Sequence, residues 1–222
     1  MLKSNITRIA VAVLAVGLFL FSAFALSNTN TFSQDRLAEQ QTITALSQWV
    51  TTSTKEAVPV SEAAAIVKAV YQYSKEHNVD PLLLLSMMRH ESGFQKKAKS
   101  RGGAKGLMQV IPYWHRDKIK GRNIFDTAVN IDVGTQVIDQ CLVKYNNNVK
   151  QALRCYSGGA NSKYYLRIAN THKQMRSHLV EYAILNERPV ADTLAFGKPR
   201  IFTEDPINIL VAQKKPNKAS DT

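Results

Sequence analysis

Apolar residues recur at helical spacing through the middle of the chain, from Val58 to about Arg188. Apolar positions three and four residues apart share one face of a helix, so the pattern predicts a mainly α domain of packed amphipathic helices. The predicted helices run from Ser61 to about Glu76, from Pro81 to about Gly93, from Ala128 to Lys144, from Val149 to Cys155 and from Tyr164 to Leu185.

The second of these helices has the clearest boundaries. Asp80 is a good N-cap and Pro81 suits the first helical position, while Gly93 is placed to end the helix. The residues from Leu82 to Met88 are apolar almost all round, apart from Ser86. A helix without a polar face is expected to be buried, so this one should lie at the centre of the domain.

The pattern changes after this helix. Gly102, Gly103 and Gly106 interrupt any helix, and the stretch from Leu107 to Pro112 reads as a short strand or an extended loop. We therefore expect a small β element or loop in an otherwise helical domain.

The chain begins with a segment typical of export. Lys3 and Arg8 precede an apolar run from Ile9 to Leu26, and Ala23-Phe24-Ala25 is a plausible cleavage site. We interpret residues 1–25 as a signal peptide, although an uncleaved membrane anchor is the alternative. Either way the rest of the chain is predicted to lie in the periplasm or cell envelope, and it contacts a membrane only if the segment is retained.

The two flanks of the domain are polar. Residues 26–57 are predicted to be an N-terminal segment with one weak amphipathic stripe, ending in a linker at Thr51–Thr54. The predicted helical domain covers 58–188, and the proline-containing, basic tail 189–222 is expected to be loosely ordered. Either flank could bind a protein partner in the envelope. The amphipathic stripe in the N-terminal segment 26–57 consists of Leu37, Ile43, Leu46 and Trp49.

Charge and cysteine content narrow the class of protein. The chain has 29 Lys and Arg against 17 Asp and Glu, a net charge of +12, which favours a polyanionic partner. Export and the scattered placement of the basic residues argue against nucleic acid and favour an acidic wall polymer. Cys141 and Cys155 stand symmetrically about the turn Asn146–Asn148, so in an oxidising compartment they could pair; otherwise both are small buried residues.

Glu91 is the strongest candidate for chemistry. On a helix it shares a face with Leu84, Met87 and Met88, and it lies in the last turn, where the helix dipole disfavours an anion. Burial and the dipole would both raise its pKa. A carboxylic acid that stays protonated near neutral pH is what general-acid catalysis requires. The alternative is an ordinary exposed glutamate at a helix end.

The surrounding motifs resemble the soluble lytic transglycosylase (SLT) domain, a lysozyme-like family that cleaves peptidoglycan. The resemblance covers about residues 60–170. It departs from the family pattern at Ser157-Gly158, where Asn and Ala are usual, and in the region after Gly159, which is short. The matching elements are Glu91-Ser92-Gly93-Phe94, Ser100, Gly106-Leu107-Met108-Gln109 with Pro112, Phe125-Asp126, Asn130-Ile131-Asp132-Val133-Gly134, and Ala152 to Gly159.

The resemblance implies a lysozyme-like fold with the small β element beside the cleft. It implies that Glu91 is the single catalytic acid and base, and that neither a cofactor nor a metal is needed. Ser100 would bind near the N-acetyl group of the substrate, and Tyr156 would position Glu91 or the sugar. The remaining implied substrate-binding residues are Met108, Gln109 and Ile111, which would line the cleft, and Tyr164 or Tyr165 as the last aromatic contact.

The loop after Glu91 fits a mechanism with one carboxylate. Most glycosidases use two carboxylates, yet no Asp or Glu occurs from Ser92 through Arg116. Asp126 and Asp132 could supply a second one, although turn and helix-cap roles are the simpler interpretation. The predicted activity is cleavage of glycan strands with formation of 1,6-anhydro ends. A hydrolytic muramidase and a non-catalytic wall-binding component are the alternatives.

Overall fold

The structure, a computed structural model, describes residues 34, 36–159 and 162–187. The predicted signal segment 1–25 and the tail 189–222 lie outside the described residues. The seven helices of the described part are α1 (36–53), α2 (Val60–His77), α3 (Pro81–Glu91), α4 (Arg116–Ile119), α5 (Thr127–Lys144), α6 (Val149–Tyr156) and α7 (Ser162–Leu185). The mainly α fold predicted from the sequence is confirmed. Within the described ranges, no helix is both long and apolar enough for a membrane span.

The chain divides into two compact units between Thr42 and Ile43. In the first unit the described residues are helical, and the second unit contains the remaining elements. In the second unit, Ile43, Leu46 and Val50 of α1 are buried in the hydrophobic core. The stripe expected in this segment is therefore a core-forming face from Ile43 onward.

The expectation of a linker at Thr51–Thr54 is wrong, because residues 51–53 complete α1. The hydroxyl groups of Ser53 and Thr54 both donate to the Val50 carbonyl, at 3.0 and 2.9 Å. Hydroxyl side chains can bond to a carbonyl three or four residues earlier, so a polar Thr/Ser run is compatible with a helix end when the preceding turns bury an apolar face.

The starts of α2 and α3 show how capping decides a boundary. The residue before α2 is Pro59, so the predicted N-cap Ser61 lies inside the first turn, and Pro59 makes no side-chain cap. At α3 the prediction is confirmed: Asp80 accepts a hydrogen bond from the Leu82 amide at 2.7 Å. The other carboxylate oxygen of Asp80 lies 2.8 Å from Nε2 of the buried His172.

Helix α3 is the centre of the fold. Its residues from Leu82 to Met88 are at most 2% exposed, as the all-round apolar sequence predicts. It packs against α2 and α7, while α5 packs against α2 and α6. Glu91, its last residue, is thereby carried from the core to the surface.

The predicted β element is reduced to two isolated antiparallel bridges in which Lys105 pairs with Lys99 and with Val110. The stretch after Gly106 cannot continue as a strand, because Gly106 and Gln109 have φ angles of +75° and +48°. Helix α4, which follows this loop, was not predicted and has only four residues.

Cys141 and Cys155 form a disulfide with a Cα–Cα distance of 5.9 Å. It joins α5 to α6 across a turn in which Asn146 and Asn147 have φ angles of +50° and +63°. Asparagine tolerates the left-handed region better than most residues, which explains the asparagine run at this turn. Of the two interpretations left open by the sequence, the structure shows the disulfide.

Candidate active site

Glu91 lies where α3 emerges from the core, and its side chain is half-buried. The hydroxyl of Tyr164, in α7, donates a hydrogen bond to its Oε1. Tyr164 is itself buried, with 7% of its surface exposed. The carboxyl group is therefore held in one position by a phenol from another helix.

Burial raises the pKa of Glu91, while the Tyr164 hydrogen bond and the positive charge of Arg167 act in the opposite direction. The net direction is upward, as expected for a carboxyl group removed from water. Glu91 therefore has a raised pKa together with a donor and a cation that can stabilise its ionised form.

One face of α7 meets the end of α3. Tyr164, Arg167 and Thr171 are spaced by three and four residues, so they share this face. His90 Nε2 lies 3.1 Å from the Arg167 carbonyl oxygen and 2.8 Å from the Thr171 hydroxyl. His90, next to Glu91, thus anchors α7 beside the carboxyl group.

Tyr156, the last residue of α6, donates its hydroxyl to the Met108 carbonyl at 2.6 Å. Burial and the nearby charge of Glu91 raise its pKa well above the ordinary value, so the phenol stays protonated. Because Cys155 precedes it in α6, the disulfide also fixes the position of Tyr156.

Ser92 joins the two most specific motifs. Its hydroxyl donates to the Leu107 carbonyl at 2.8 Å, which ties the end of α3 to the Gly106–Gln109 turn. Gly93 and Phe94 then adopt φ angles of +60° and +65°, and the Phe94 side chain is fully buried. The sharp reversal after Glu91 therefore needs Gly93 and is anchored by Phe94.

Asn130 also holds the Gly106–Gln109 turn in place. This residue, 1% exposed, accepts from the Met108 amide at 2.7 Å and donates to the carbonyls of Lys105 and Ile124 at 2.9 and 3.0 Å. A Cβ at Gly106 would lie 2.3 Å from Asn130 Nδ2, so glycine is needed for this approach. The carbonyl that Tyr156 contacts is thus positioned by a buried amide.

Met108 does not occupy the predicted place. Its side chain is fully buried, and a Cβ on Gly134 would lie 2.6 Å from its Cβ, so it fills the space that this helix glycine leaves. The expectation that the Met108 side chain lines a cleft is therefore wrong. The backbone amide and carbonyl of Met108 instead take part in the hydrogen bonds that position the turn.

The other predicted substrate contacts lie along the loop. The hydroxyl of the exposed Ser100 accepts from the Ala104 amide at 3.0 Å. Gln109 is partly exposed, and its side-chain amide donates a hydrogen bond to the Gly106 carbonyl at 3.0 Å. Ile111 is also partly exposed. Ser100 and Gln109 both stabilise the loop, which does not prevent them from also meeting a ligand.

The two aspartates considered as a second carboxylate have other partners. Asp126 caps α5 by accepting from the Val129 amide at 3.0 Å, as predicted. Asp132 is not a cap: it forms ion pairs with Arg122 at 3.0 Å and His77 at 3.5 Å and accepts from Gln136. Among the described residues, no group of three His, Cys, Asp or Glu could hold a metal ion.

Sequence reasoning missed the contributions of His90, Arg167 and Thr171 and the structural role of Asn130. His90 lies far in sequence from the two α7 residues that it contacts and precedes Thr171 by 81 positions. The spacing of Tyr164, Arg167 and Thr171 was a usable signal, because it marks a shared helix face. Asn130 was recognised only as part of a motif.

Residues 68–177 match the family model described as the transglycosylase SLT domain. These residues therefore form a transglycosylase SLT domain, which confirms the recognition made from the motifs. The match also agrees with the lysozyme-like, mainly α fold class predicted above.

Curated relatives carry the same name in several bacteria. The chain is 31% identical over 128 residues to membrane-bound lytic murein transglycosylase C of Photorhabdus laumondii, covering 50% of this chain and 35% of the relative. It is 38% identical over 86 residues to the protein of that name from Mannheimia succiniciproducens, covering 34% of this chain and 24% of the relative. The chain thus spans about a third of these relatives or less.

Among solved structures, the lytic transglycosylase Slt from Pseudomonas aeruginosa, as an inactive mutant, is similar with a TM-score of 0.44 and 18% identity. That alignment covers 77% of this chain and 31% of the other. The 70 kDa soluble lytic transglycosylase from Escherichia coli is similar with a TM-score of 0.42 and 17% identity, over 67% of this chain and 31% of the other.

Proposed function

We propose that this protein is a peptidoglycan lytic transglycosylase. It would cleave the β-1,4 bond between N-acetylmuramic acid and N-acetylglucosamine and leave 1,6-anhydromuramic acid ends. The observation that carries the proposal is the half-buried carboxyl of Glu91, which receives the Tyr164 hydroxyl at the end of the central helix of an SLT domain.

Glu91 would act first as an acid and then as a base. Its proton goes to the glycosidic oxygen as the bond from the muramoyl C1 to that oxygen breaks. The carboxylate then takes the proton of the C6 hydroxyl of the same muramoyl residue, and O6 bonds to C1. Glu91 ends protonated, no water is consumed, and the products are one anhydro end and one N-acetylglucosamine end.

The surroundings of Glu91 suit both halves of this cycle. Burial raises its pKa, which favours the protonated form needed first. The Tyr164 hydroxyl and the charge of Arg167 favour the carboxylate that follows. A group that must donate and recover a proton in one turnover benefits from such opposed influences.

An internal nucleophile explains why one carboxylate is enough. A hydroxyl on the reacting sugar has a very high effective concentration, so no second carboxylate is needed to activate water. The loop from Ser92 through Arg116 contains no Asp or Glu, and Asp126 and Asp132 are engaged elsewhere. This favours the transglycosylase over a hydrolytic muramidase. The hydrogen-bonded Glu91 favours it over a non-catalytic wall-binding component.

Substrate contacts remain part of the proposal. Ser100 would bind near the N-acetyl group, and Gln109 and Ile111 would line the cleft. Tyr156 would act through the Met108 carbonyl, which it contacts directly. The partner would be the peptidoglycan glycan strand, held in part by the surplus of Lys and Arg.

We place this activity in the periplasm or cell envelope. The basic and apolar sequence at residues 1–25 supports export, and the curated relatives are named membrane-bound. No cofactor is needed for the proposed chemistry.

Mass spectrometry of digested peptidoglycan tests the proposal. We expect the purified protein to release muropeptides lighter by one water than hydrolysed ones, and we expect Glu91→Gln to release none. Glu181→Gln, which changes an exposed glutamate of α7, is the matched control and should retain full activity. Hydrated reducing ends would show a muramidase, and no release by the wild type would favour a wall-binding role.

A further inference from the structure

Two consecutive residues at the end of the glycine-rich loop have large, exposed aromatic side chains. Tyr113 is 71% exposed and Trp114 is 65% exposed. The protein's other tryptophan, Trp49, packs partly buried against the core. Adjacent exposed aromatic rings on a soluble surface commonly mark a binding site, because they leave a large apolar area in water.

The backbone beneath the two rings is ordered by hydrogen bonds. The Trp114 amide donates to the Ile111 carbonyl at 3.1 Å, and the His115 amide donates to the Pro112 carbonyl at 3.3 Å. The Arg116 guanidinium lies 4.9 Å from the centre of the Tyr113 ring, which restrains one aromatic face. Little freedom is therefore left to lose when a ligand binds.

The pair continues the loop that builds the candidate active site. Ile111, partly exposed, contributes the carbonyl that holds the Trp114 turn. Three residues earlier, the Met108 carbonyl receives the Tyr156 hydroxyl. The two rings therefore follow directly, along the chain, on the loop residues that are expected to contact the glycan.

We propose that Tyr113 and Trp114 form a sugar-stacking site that holds a pyranose ring of the glycan strand beyond the bond being cleaved. The inference rests on the proposed function, since it extends the same substrate. The ring faces of a pyranose carry C–H groups that pack on an aromatic surface, while its hydroxyls remain in water. This chemistry suits two exposed aromatic rings.

The charges next to the rings favour a wall glycan over a neutral one. Arg116 stacks on Tyr113, whereas Lys118 of α4 is already paired with Asp117 at 3.0 Å. Carboxylates on the peptide stems of a wall polymer would be attracted to Arg116. A membrane surface could also attract aromatic and basic side chains, so the test includes lipid vesicles.

Tryptophan fluorescence tests the site directly, because the chain has two tryptophans. The binding measurements use the Glu91→Gln protein, so that no substrate is consumed, and the probe is the hexasaccharide of β-1,4-linked N-acetylglucosamine. We expect the tryptophan emission of the protein to change when the hexasaccharide is added. The change should persist with Trp49→Phe as the matched control and disappear with Trp114→Phe.

Affinity and kinetics give the second readout. Tyr113→Ala and Trp114→Ala should each weaken hexasaccharide binding by about tenfold, typical of removing a central aromatic contact. In the active protein, the same substitutions should raise KM for glycan strands with little change in kcat. Disaccharide binding should be unaffected, because a short ligand at the Glu91 site does not reach the rings.

Three results would overturn the inference. Unchanged hexasaccharide affinity in both alanine variants would show that the rings do not touch the glycan. A Trp114 response to anionic vesicles without one to hexasaccharide would assign the surface to a membrane. Loss of disaccharide binding as well, in variants that stay folded, would show that the rings act on the Glu91 site and not on a sugar beyond the bond being cleaved. An inactive wild type that still shows the Trp114 response would refute the proposed reaction while leaving the sugar site standing.

Discussion

Replacing Gly106 by alanine would put a methyl group where the Asn130 side chain now lies. The added Cβ would be 2.3 Å from Asn130 Nδ2 and 2.7 Å from its Cγ, well inside contact distance. Asn130 would have to move, and its three hydrogen bonds to the Met108 amide and to the Lys105 and Ile124 carbonyls would break. The two positions should therefore be energetically coupled.

The magnitudes follow from these contacts. Losing three buried hydrogen bonds at about 1 kcal/mol each makes Asn130→Ala cost about 3 kcal/mol of unfolding free energy. Gly106→Ala loses the same bonds and adds about 1.5 kcal/mol for its φ of +75°, for a total of about 4.5 kcal/mol. The double variant should cost the same as Gly106→Ala alone, because Asn130 has no bonds left to lose.

Gly103 supplies the matched control. Its φ is +84°, but an added Cβ there would meet nothing within 4 Å. Gly103→Ala should cost about 1.5 kcal/mol for the backbone alone, and it should add to Asn130→Ala without coupling.

Urea unfolding followed by circular dichroism measures all five variants, with equal m-values as the test that two-state comparison holds. Additivity of Gly106→Ala and Asn130→Ala within about 0.5 kcal/mol would refute the argument. Equal coupling at Gly103 would refute it as well, because the effect would then not arise from the contact.

Three other substitutions test separate parts of the structure. Tyr164→Phe removes a hydrogen bond that lowers the pKa of Glu91, so the high-pH limb in the pH profile of kcat/KM should move to higher pH. A limb that stays in place or moves to lower pH would contradict this. Replacing both cysteines by serine should lower the free energy of unfolding, measured in urea, by about 3 kcal/mol in the chain-entropy model. No change would show that the disulfide does not contribute to stability. Gly134→Ala should gain about 1 kcal/mol from helix propensity, but its new Cβ would lie 2.6 Å from the Met108 Cβ, and this overpacking should cost about 2 kcal/mol. The same assay should therefore show a net loss of stability. A gain in stability would show that Met108 can move aside.

Local sequence rules predicted the central helix well. Asp80, Pro81 and the all-apolar run after them specify a buried helix from neighbouring residues alone, and this placed Glu91 at its end. The polar segment before residue 58 was underestimated, because its few apolar residues gave a weak stripe. Burial of Ile43 and Leu46 depends on partners elsewhere in the chain.

Contacts between distant residues were beyond such rules. Tyr164 reaches Glu91 across 73 positions, so its exact partner depends on how α7 packs on α3. The family resemblance placed Met108 in a cleft, and loop residues have no periodicity that could have shown it to be buried. Its burial follows from Gly134, which opens space on α5.

The source of oxygen at the new muramoyl end tests the central claim most directly. Peptidoglycan is digested in water enriched in oxygen-18, and the products are analysed by mass spectrometry at early times. An internal attack by the C6 hydroxyl predicts anhydro products that carry no label, and it predicts that Glu91→Gln forms none of them. Labelled, hydrated muramoyl ends formed by the wild type would contradict the account, because water would then be the nucleophile.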